Sequence, residues 1–352
     1  MTTAILKELP KSPGVWAQAW TRLKTDRVGM VSLCVTMLFI VLVLAAQLGL
    51  VAKDWQKEMG VPFAAPHIVG KIADGTQAAV VETVVGPNVD ISDVDPLASR
   101  YQEWEDRASK FKTTVTVKAD TLLFGADQQG RDVFSKVVKG AQVSITVGLA
   151  AALFATLIGT ILGAIGGYFG GPAGDFLEWV YNVFTAIPYI LLVFALAAVL
   201  KSGPLASTLG SGVWTVVIIL SLVGWTGIYR LVRAEYIKHC AREYVMAAQA
   251  IGASHASRMF THILPNISHV VLVQLSLHVV GFIKAEVILS YLGLGVPLDM
   301  VSWGTMLAEA QTELVQGKWW QLLAATTFMA CFVTAFALLT DALRDALDPK
   351  LR

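Results

Sequence analysis

Residues Ala241–Asn266, AREYVMAAQAIGASHASRMFTHILPN, separate two long apolar runs at 213–232 and 267–280. The two runs have the composition of membrane-spanning helices, whereas the stretch between them is only partly apolar and carries charged residues. The stretch therefore predicts a connection between two spans, and the rest of the chain can be placed by working outward from it.

The first half of this connection predicts a short helix over 242–251. Ala247, Ala248 and Ile251 recur at the three- and four-residue spacings that put side chains on one helix face. Gly252 follows as a natural helix stop, because glycine tolerates the backbone conformation that ends a helix. We expect this helix to present small side chains to whatever it contacts.

The second half predicts another short helix, capped by Ser254 and ending before Pro265. Two short helices on a bend between two spans would form a docking surface. An ordinary loop with interfacial helices is the alternative that the pattern leaves open.

The composition points to a polytopic membrane protein. Of the 352 residues, 55% are hydrophobic and only 15% are charged, well below the roughly 25% typical of soluble domains. The formal net charge of +1 gives no indication of nucleic-acid binding. Cys34, Cys240 and Cys331 lack paired spacing, so we expect neither a disulfide framework nor a metal site.

Six apolar runs predict an all-α membrane protein with six transmembrane helices. Basic residues before the first run and around 238–266 place the N- and C-termini in the cytoplasm, because cytoplasmic segments carry an excess of Lys and Arg. The runs lie at 28–52, 143–169, 176–200, 213–232, from 267 onward, and 322–339.

The spans divide the chain into four parts. A cytoplasmic segment covers 1–27, and the first transmembrane helix covers 28–52. A polar periplasmic insertion follows at 53–139, and a core with five transmembrane helices occupies 140–352. Within the insertion we expect short strands at 78–85 and 113–117 and a charged helix at 97–112.

Glycine and proline positions in two spans predict how these helices pack. Gly159, Gly163 and Gly167 recur every four residues, a spacing that lets helix backbones approach closely in lipid. We favour packing within the chain over a pore-lining role for them. Pro188 predicts a kink within the third span.

The fifth span carries ionisable residues, which are costly at membrane depth. Lys284 and Glu286 are two residues apart and do not share a helix face. We expect structural pairing or positioning near the headgroups for them rather than substrate contact. His269 and His278 are interpreted as satisfied polar packing, because two histidines nine residues apart make no metal site.

The connection resembles the EAA loop of ABC-importer permeases, the segment that docks on the ATPase subunit. One departure is that Met246 occupies the position of the family's eponymous Glu, with Glu243 one helical turn earlier. The resemblance implies a docking loop over 238–266. Its candidate residues are Glu243, Ala247, Ala248, Gly252, Ala253, Leu264 and Pro265.

Two further blocks resemble the dipeptide, oligopeptide and nickel permeases. Residues 124–132 are similar to a Gly-Thr-Asp-x-x-Gly-Arg-Asp signature, with Ala126 in place of Thr. Residues 292–304 are similar to the family's Leu-Gly-Leu-Gly and Ser-Trp-Gly segments. The resemblance implies candidates for the periplasmic side or a gate, namely Asp127, Gly130, Arg131, Asp132, Glu286, Gly293, Gly295 and Trp303.

Together the blocks resemble the C-type inner-membrane permease of a bacterial peptide-class ABC importer. This implies a non-catalytic multi-pass subunit that pairs with a second, homologous permease, two cytoplasmic ATPase subunits and a periplasmic substrate-binding protein. The chain lacks the Gly-x-x-x-x-Gly-Lys-Ser/Thr motif, so ATP and Mg would be bound by partner subunits and no cofactor by this chain.

Other functions stay open at this point. The importer could carry nickel or another small solute instead of peptides. A membrane receptor or scaffold would explain the insertion but not the docking loop. A membrane-embedded enzyme would need converging ionisable groups, and the spans offer only scattered ones.

Overall fold

The computed structural model describes residues 15–70, 96–97, 100–110, 118–202, 212–297 and 299–347. The chain divides into two compact units. The insertion unit comprises Gln56–Asp132, and the helical unit comprises the segments on either side of it.

The helices and strands follow one another along the chain with short connections between most of them. In chain order they are α1 (Val15–Thr25), α2 (Arg27–Gln47), β1 (Gly60–Pro66), α3 (Tyr101–Lys110), β2 (Ala119–Leu122), α4 (Val133–Phe169), α5 (Gly171–Ala186), α6 (Tyr189–Ser202), α7 (Val213–Cys240), α8 (Glu243–Ala250), a π-helical segment (Ser257–Ile263), α9 (Leu264–Tyr291), α10 (Trp303–Val315) and α11 (Trp320–Leu347).

The predicted membrane character of the helical unit is confirmed. Among the described residues, five helices are long and apolar enough to cross a membrane, and the α5–α6 pair supplies a sixth if it counts as one span. The five are α2, α4, α7, the π-helical segment with α9, and α11.

Pro188 separates two helices, where the sequence predicted one kinked span. The axes of α5 and α6 differ by 92°. Ile187 is extended, as is usual for a residue before proline, and the Pro188 carbonyl accepts hydrogen bonds from the backbone of Leu191 and Leu192. The proline therefore lies directly before α6 and does not bend a continuous helix.

Several helix limits differ from the apolar runs. α2 ends at Gln47 rather than near 52, and α4 begins at Val133, well before 143. The early start of α4 is possible because its buried Lys136 forms an ion pair with Glu309 and donates to Gln321 at 3.3 Å. A polar residue can thus extend a helix beyond its apolar run when tertiary partners compensate its charge.

The α4–α7 interface confirms the predicted use of the glycine stripe. A Cβ added at Gly159, Gly163 or Gly167 would lie 2.5, 2.8 or 2.6 Å from a backbone carbonyl oxygen of α7. Any side chain at these positions would push the two helices apart. The stripe is therefore a packing surface within the chain.

The insertion unit contains a pair of parallel strands, β1 and β2, which corrects the all-α prediction. Gly60 pairs with Ala119, and Ala65 pairs with Thr121. The predicted charged helix is present in part as α3. The strands expected at 78–85 and 113–117 lie outside the described residues.

Candidate docking site

The connection between α7 and α9 folds into a compact projection, here named the docking knob (residues 243–263). α8 forms its first half and ends where Gly252 adopts a φ of +83°, which confirms the predicted stop. The second half begins where the Ser254 hydroxyl accepts a hydrogen bond from the Ser257 backbone at 3.2 Å, which confirms the predicted cap. The π-helical segment then leads into α9.

The sequence predicted that the second helix of the knob ends before Pro265. This prediction was wrong, because the helical span continues through Pro265. Pro265 lies in the first turn of α9. Backbone N–H groups in a first turn have no acceptor within their own helix, so the N–H that proline lacks is not needed there. The π-helical segment and α9 together form one helical span over Ser257–Tyr291. Leu264 packs against the buried cluster below the knob.

An apolar cluster fixes the knob to the ends of α4 and α7. Tyr236 adds a hydrogen bond, since its hydroxyl donates to the Met259 carbonyl at 3.1 Å. The knob is therefore part of the helical core rather than a loose loop. The buried members of the cluster are Ala164, Ile228, Val232, Tyr236, Val245, Met259, Ile263 and Ile267.

Polar contacts hold the bend of the knob. The Tyr168 hydroxyl on α4 lies 2.9 Å from His255 Nδ1, and the Arg258 guanidinium stacks 5.7 Å from the Tyr168 ring centre. At the start of α8, the Tyr244 hydroxyl lies 2.7 Å from His239 Nδ1. Partial burial raises the pKa of Tyr244, so its hydroxyl stays neutral at physiological pH.

Several exposed side chains of the knob are apolar, beside the exposed polar residues Glu243, Gln249, Ser254 and His255. Ile251 is 85% exposed, Met246 52% and Phe260 47%, and Ala247 lies exposed on the same helix as Met246. Exposed apolar side chains grouped at a connection between two spans are candidates for contact with another protein. This surface, rather than the loop as a whole, is the candidate docking site.

The predicted face of α8 was wrong in one respect. Ala248 is only 4% exposed and packs inside the chain, whereas Ala247 and Ile251 face outward. The Ile251 backbone N–H donates to the Ala247 carbonyl at 3.2 Å, so Ile251 lies one helical turn after Ala247 and shares its outward face. Glu243, the first residue of α8, is exposed, and the Ala253 backbone N–H donates to the Ala248 carbonyl at 3.0 Å.

The four candidate residues at 127–132 lie together in the insertion unit and build a turn. Asp127 is buried and accepts hydrogen bonds from the backbone of Gln129 and Arg131, both at 2.9 Å, and from Arg131 Nε at 2.7 Å. Gly130, with φ of +79°, places its carbonyl where the backbone of Met59 and Gly60 donates to it. Asp132 pairs with Ala126 in an isolated bridge.

The candidates at the C-terminal end of α9 also come together. Ser290 donates to the buried carboxylate of Glu286 at 2.6 Å, and its oxygen accepts from the Val296 backbone at 3.2 Å. Gly293, with φ of +77°, turns the chain after α9, and Gly295 packs against Ser290. Trp303 is fully buried and donates through its indole nitrogen to the Val137 carbonyl at 3.2 Å.

The polar features of the spans agree with the sequence prediction in part. Glu286 is fully buried and Lys284 is exposed, so the two residues point away from each other. His278 is buried and lies 3.1 Å from Thr156 Oγ1 and 3.2 Å from Gln274 Nε2, which confirms its interpretation as satisfied packing. The ion pair of Lys136 with Glu309 was not predicted, because it joins residues far apart in sequence.

Two features of the helical unit define the class of protein. They are its membrane-spanning helices and the docking knob, which a buried apolar cluster holds between two of them. The chain belongs to the family of binding-protein-dependent transport system inner membrane components, whose pattern matches residues 144–352. Residues 14–67 match the N-terminal transmembrane domain of oligopeptide transport permease C. The predicted permease resemblance and multi-pass inner-membrane location are thereby confirmed.

Individual relatives agree with this assignment. The oligopeptide transport system permease protein OppC of Bacillus subtilis (strain 168) is 32% identical over 73% of this chain and 80% of its own length. The dipeptide transport system permease protein DppC of the same strain is 32% identical, over 65% and 69%. The glutathione transport system permease protein GsiD of Salmonella paratyphi A (strain ATCC 9150 / SARB42) is 39% identical, over 65% and 72%.

Proposed function

We propose that this chain is the permease subunit of a binding-protein-dependent importer that carries peptides across the bacterial inner membrane. The observation that carries the proposal is the exposed apolar surface of the docking knob, which a buried cluster attaches to two spans. The names of its relatives favour peptides over nickel or another small solute as the cargo.

The knob is the proposed contact for two ATPase subunits, which would bind ATP and Mg. Met246, Ile251 and Phe260 would insert into an apolar groove, because burying them removes apolar surface from water. Since the knob continues into α9 without a break, movement of the ATPases would move this span. The permease would thus convert ATPase closure into alternating access, together with a second permease and a periplasmic binding protein.

The charge distribution supports a cytoplasmic knob. Arg230, Lys238, Arg242 and Arg258 lie on or beside it, and cytoplasmic segments of membrane proteins are rich in such residues. With this orientation, both termini lie in the cytoplasm and the insertion unit lies in the periplasm.

Cysteine labelling tests the orientation. In a variant without the natural cysteines, Ile68→Cys in the insertion unit should react with a membrane-impermeant reagent added to intact spheroplasts. Ile251→Cys should react only after the membrane is permeabilised, in cells that lack the ATPase subunits. The reverse pattern would contradict the proposed topology.

Replacement of one exposed residue tests the function. Ile251→Asp should abolish co-purification of the ATPase subunits and uptake of a labelled peptide, because a carboxylate would have to enter an apolar contact. Ile68→Asp is the matched control, since Ile68 is 92% exposed but lies in the insertion unit. Unlabelled peptides and nickel salts are added as competitors. If only nickel competes, the peptide assignment is wrong.

A further inference from the structure

One face of α9 is left uncovered by the helical unit. Leu277, Gly281, Lys284, Ile288 and Tyr291 are all exposed. They are separated by alternating steps of four and three residues, so they form a single line along the helix. This line is named the α9 stripe.

The opposite face of α9 is packed in the core. Phe282, Ile283, Glu286 and Leu289 are buried there. The α9 stripe is therefore the surface that α9 presents to the space beyond this subunit, which lipid, a second subunit or a substrate pathway must occupy.

Lys284 decides between these occupants. Among the described residues, nothing forms a hydrogen bond or an ion pair with its ammonium group. An unpaired ammonium group facing lipid is costly, and ionisable residues in spans mark water-filled or substrate-lined surfaces. The charge thus favours a polar occupant over hydrocarbon.

The direction of the side chain argues against escape to the nearer headgroups. Helical side chains lean toward the N-terminus of their helix, so Lys284 is directed toward Gly281 rather than toward Tyr291 at the nearer helix end. A Cβ added at Gly281 would meet no atom within 4 Å, so there is open space at this position. The side chain would have to turn back from this direction to bring its ammonium group to the nearer headgroups.

Other polar groups lie along the same line. Gln274 precedes Leu277 by one turn and directs its amide nitrogen to His278, and a Cβ added at Gly227 of α7 would lie 3.9 Å from that nitrogen. At the other end, the Tyr291 hydroxyl donates to Gln311 Oε1 at 3.0 Å. Lys284 thus lies between two polar positions of α9, whose own polar groups contact His278 and Gln311.

We infer that the α9 stripe lines the substrate pathway and that Lys284 binds the C-terminal carboxylate of a peptide in transit. This inference rests on the proposed import of peptides. A peptide at neutral pH carries one terminal carboxylate whatever its sequence, so a single ammonium group can recognise every member of a mixed substrate class. A lysine suits this role because its flexible ammonium group can accept carboxylates in more than one orientation.

Uptake by cells that contain the whole importer tests the inference. Lys284→Met keeps the length of the side chain and removes the charge, and it should lower the uptake of a labelled peptide by about tenfold or more. Lys284→Arg should retain most of the uptake. Leu157→Met, at an exposed position of α4 outside the α9 stripe, is the control and should transport like the wild type.

Chemical restoration of the charge makes the test independent of folding. In a variant without the natural cysteines, Lys284→Cys should transport poorly. Modification with an aminoethyl methanethiosulfonate should restore uptake, whereas the negatively charged sulfonatoethyl reagent should not. Equal recovery with both reagents would overturn the inference.

Three further outcomes distinguish a carboxylate of the peptide from one of the second permease, and failure of the inference from failure of the proposed function. If Lys284→Met loses co-purification of the second permease, the carboxylate belongs to that subunit, and the inference is overturned. If Lys284→Met transports normally in a complex whose wild type imports peptide, the inference fails while the proposed function stands. If the wild type imports no peptide, both fail.

Discussion

The docking knob and the turn at 124–132 both resemble permease signatures, but they use their side chains in opposite ways. In the turn, Asp127 and Arg131 bond to each other, and Gly130 is pressed against the backbone of Met59 and Gly60. In the knob, Ala248 is buried, while Met246 and Ile251 are exposed. The turn uses its distinctive residues to hold its own fold, and the knob keeps a surface for a partner.

The difference shows that membership in a motif does not reveal what a residue does. Adjacent alanines illustrate this most clearly, because Ala247 faces outward and Ala248 faces the core. A variant in the turn should therefore alter stability, whereas a variant in the knob alters stability or partner binding according to the face on which it lies.

The largest expected effect separates the two alanines of the knob. Ala248→Asp should destabilise the helical unit by about 4 kcal/mol, because it buries a carboxylate without a partner. Ala247→Asp should leave the unfolding temperature in detergent unchanged and reduce ATPase co-purification. Equal unfolding temperatures for the two variants would contradict the assigned faces.

The next effect concerns the turn. Gly130→Ala should destabilise the insertion unit by about 3 kcal/mol, because alanine is strained at a φ of +79° and its Cβ would collide with the Gly60 carbonyl. Gly70→Ala is the control, with a φ of +75° but no atom of the described residues within 4 Å of the added Cβ. Protease cleavage within the insertion unit should rise strongly for the first variant and little for the second.

A smaller effect tests the charge that closes the turn. Asp127→Asn should cost about 2 kcal/mol, since an amide replaces the buried carboxylate that binds Arg131. Glu58→Gln should cost less than about 1 kcal/mol, because its ion pair with Lys118 is largely exposed. Both are measured as protease resistance of the insertion unit, and a similar loss in the two variants would show that burial of Asp127 is unimportant.

The smallest effect is expected at the bend of the knob. Gly252→Ala should cost about 1 kcal/mol, because its φ of +83° is unfavourable for alanine although the surrounding space is open. ATPase co-purification should fall slightly and recover at lower temperature. Complete loss of binding would indicate that Gly252 itself contacts the partner.

Patterns of local spacing predicted much of the helical unit. The apolar runs locate the spans, the glycine stripe predicts close packing within the chain, and Gly252 and Ser254 mark the bend of the knob. These features depend on residues that are close in sequence, so their physical effect can be inferred without knowing the fold.

Features that depend on tertiary contacts could not be predicted in this way. The start of α4 at Val133 depends on the ion pair between Lys136 and Glu309. The outward face of α8 depends on which of its two adjacent alanines the fold buries, and this is Ala248. Pro265 is compatible with a helix end or a first helical turn, and only the connected π-helical segment distinguishes them.

The continuous helix over Ser257–Tyr291 has a mechanical consequence. The helix is about 50 Å long and has no break after its π-helical segment. A displacement at the knob must therefore appear at the far end of the helix as translation or rotation. A change of one residue in the winding of that base turns everything beyond it by about 100°. The direction in which Lys284 faces is therefore tied to the winding of a segment that ends about 30 Å away.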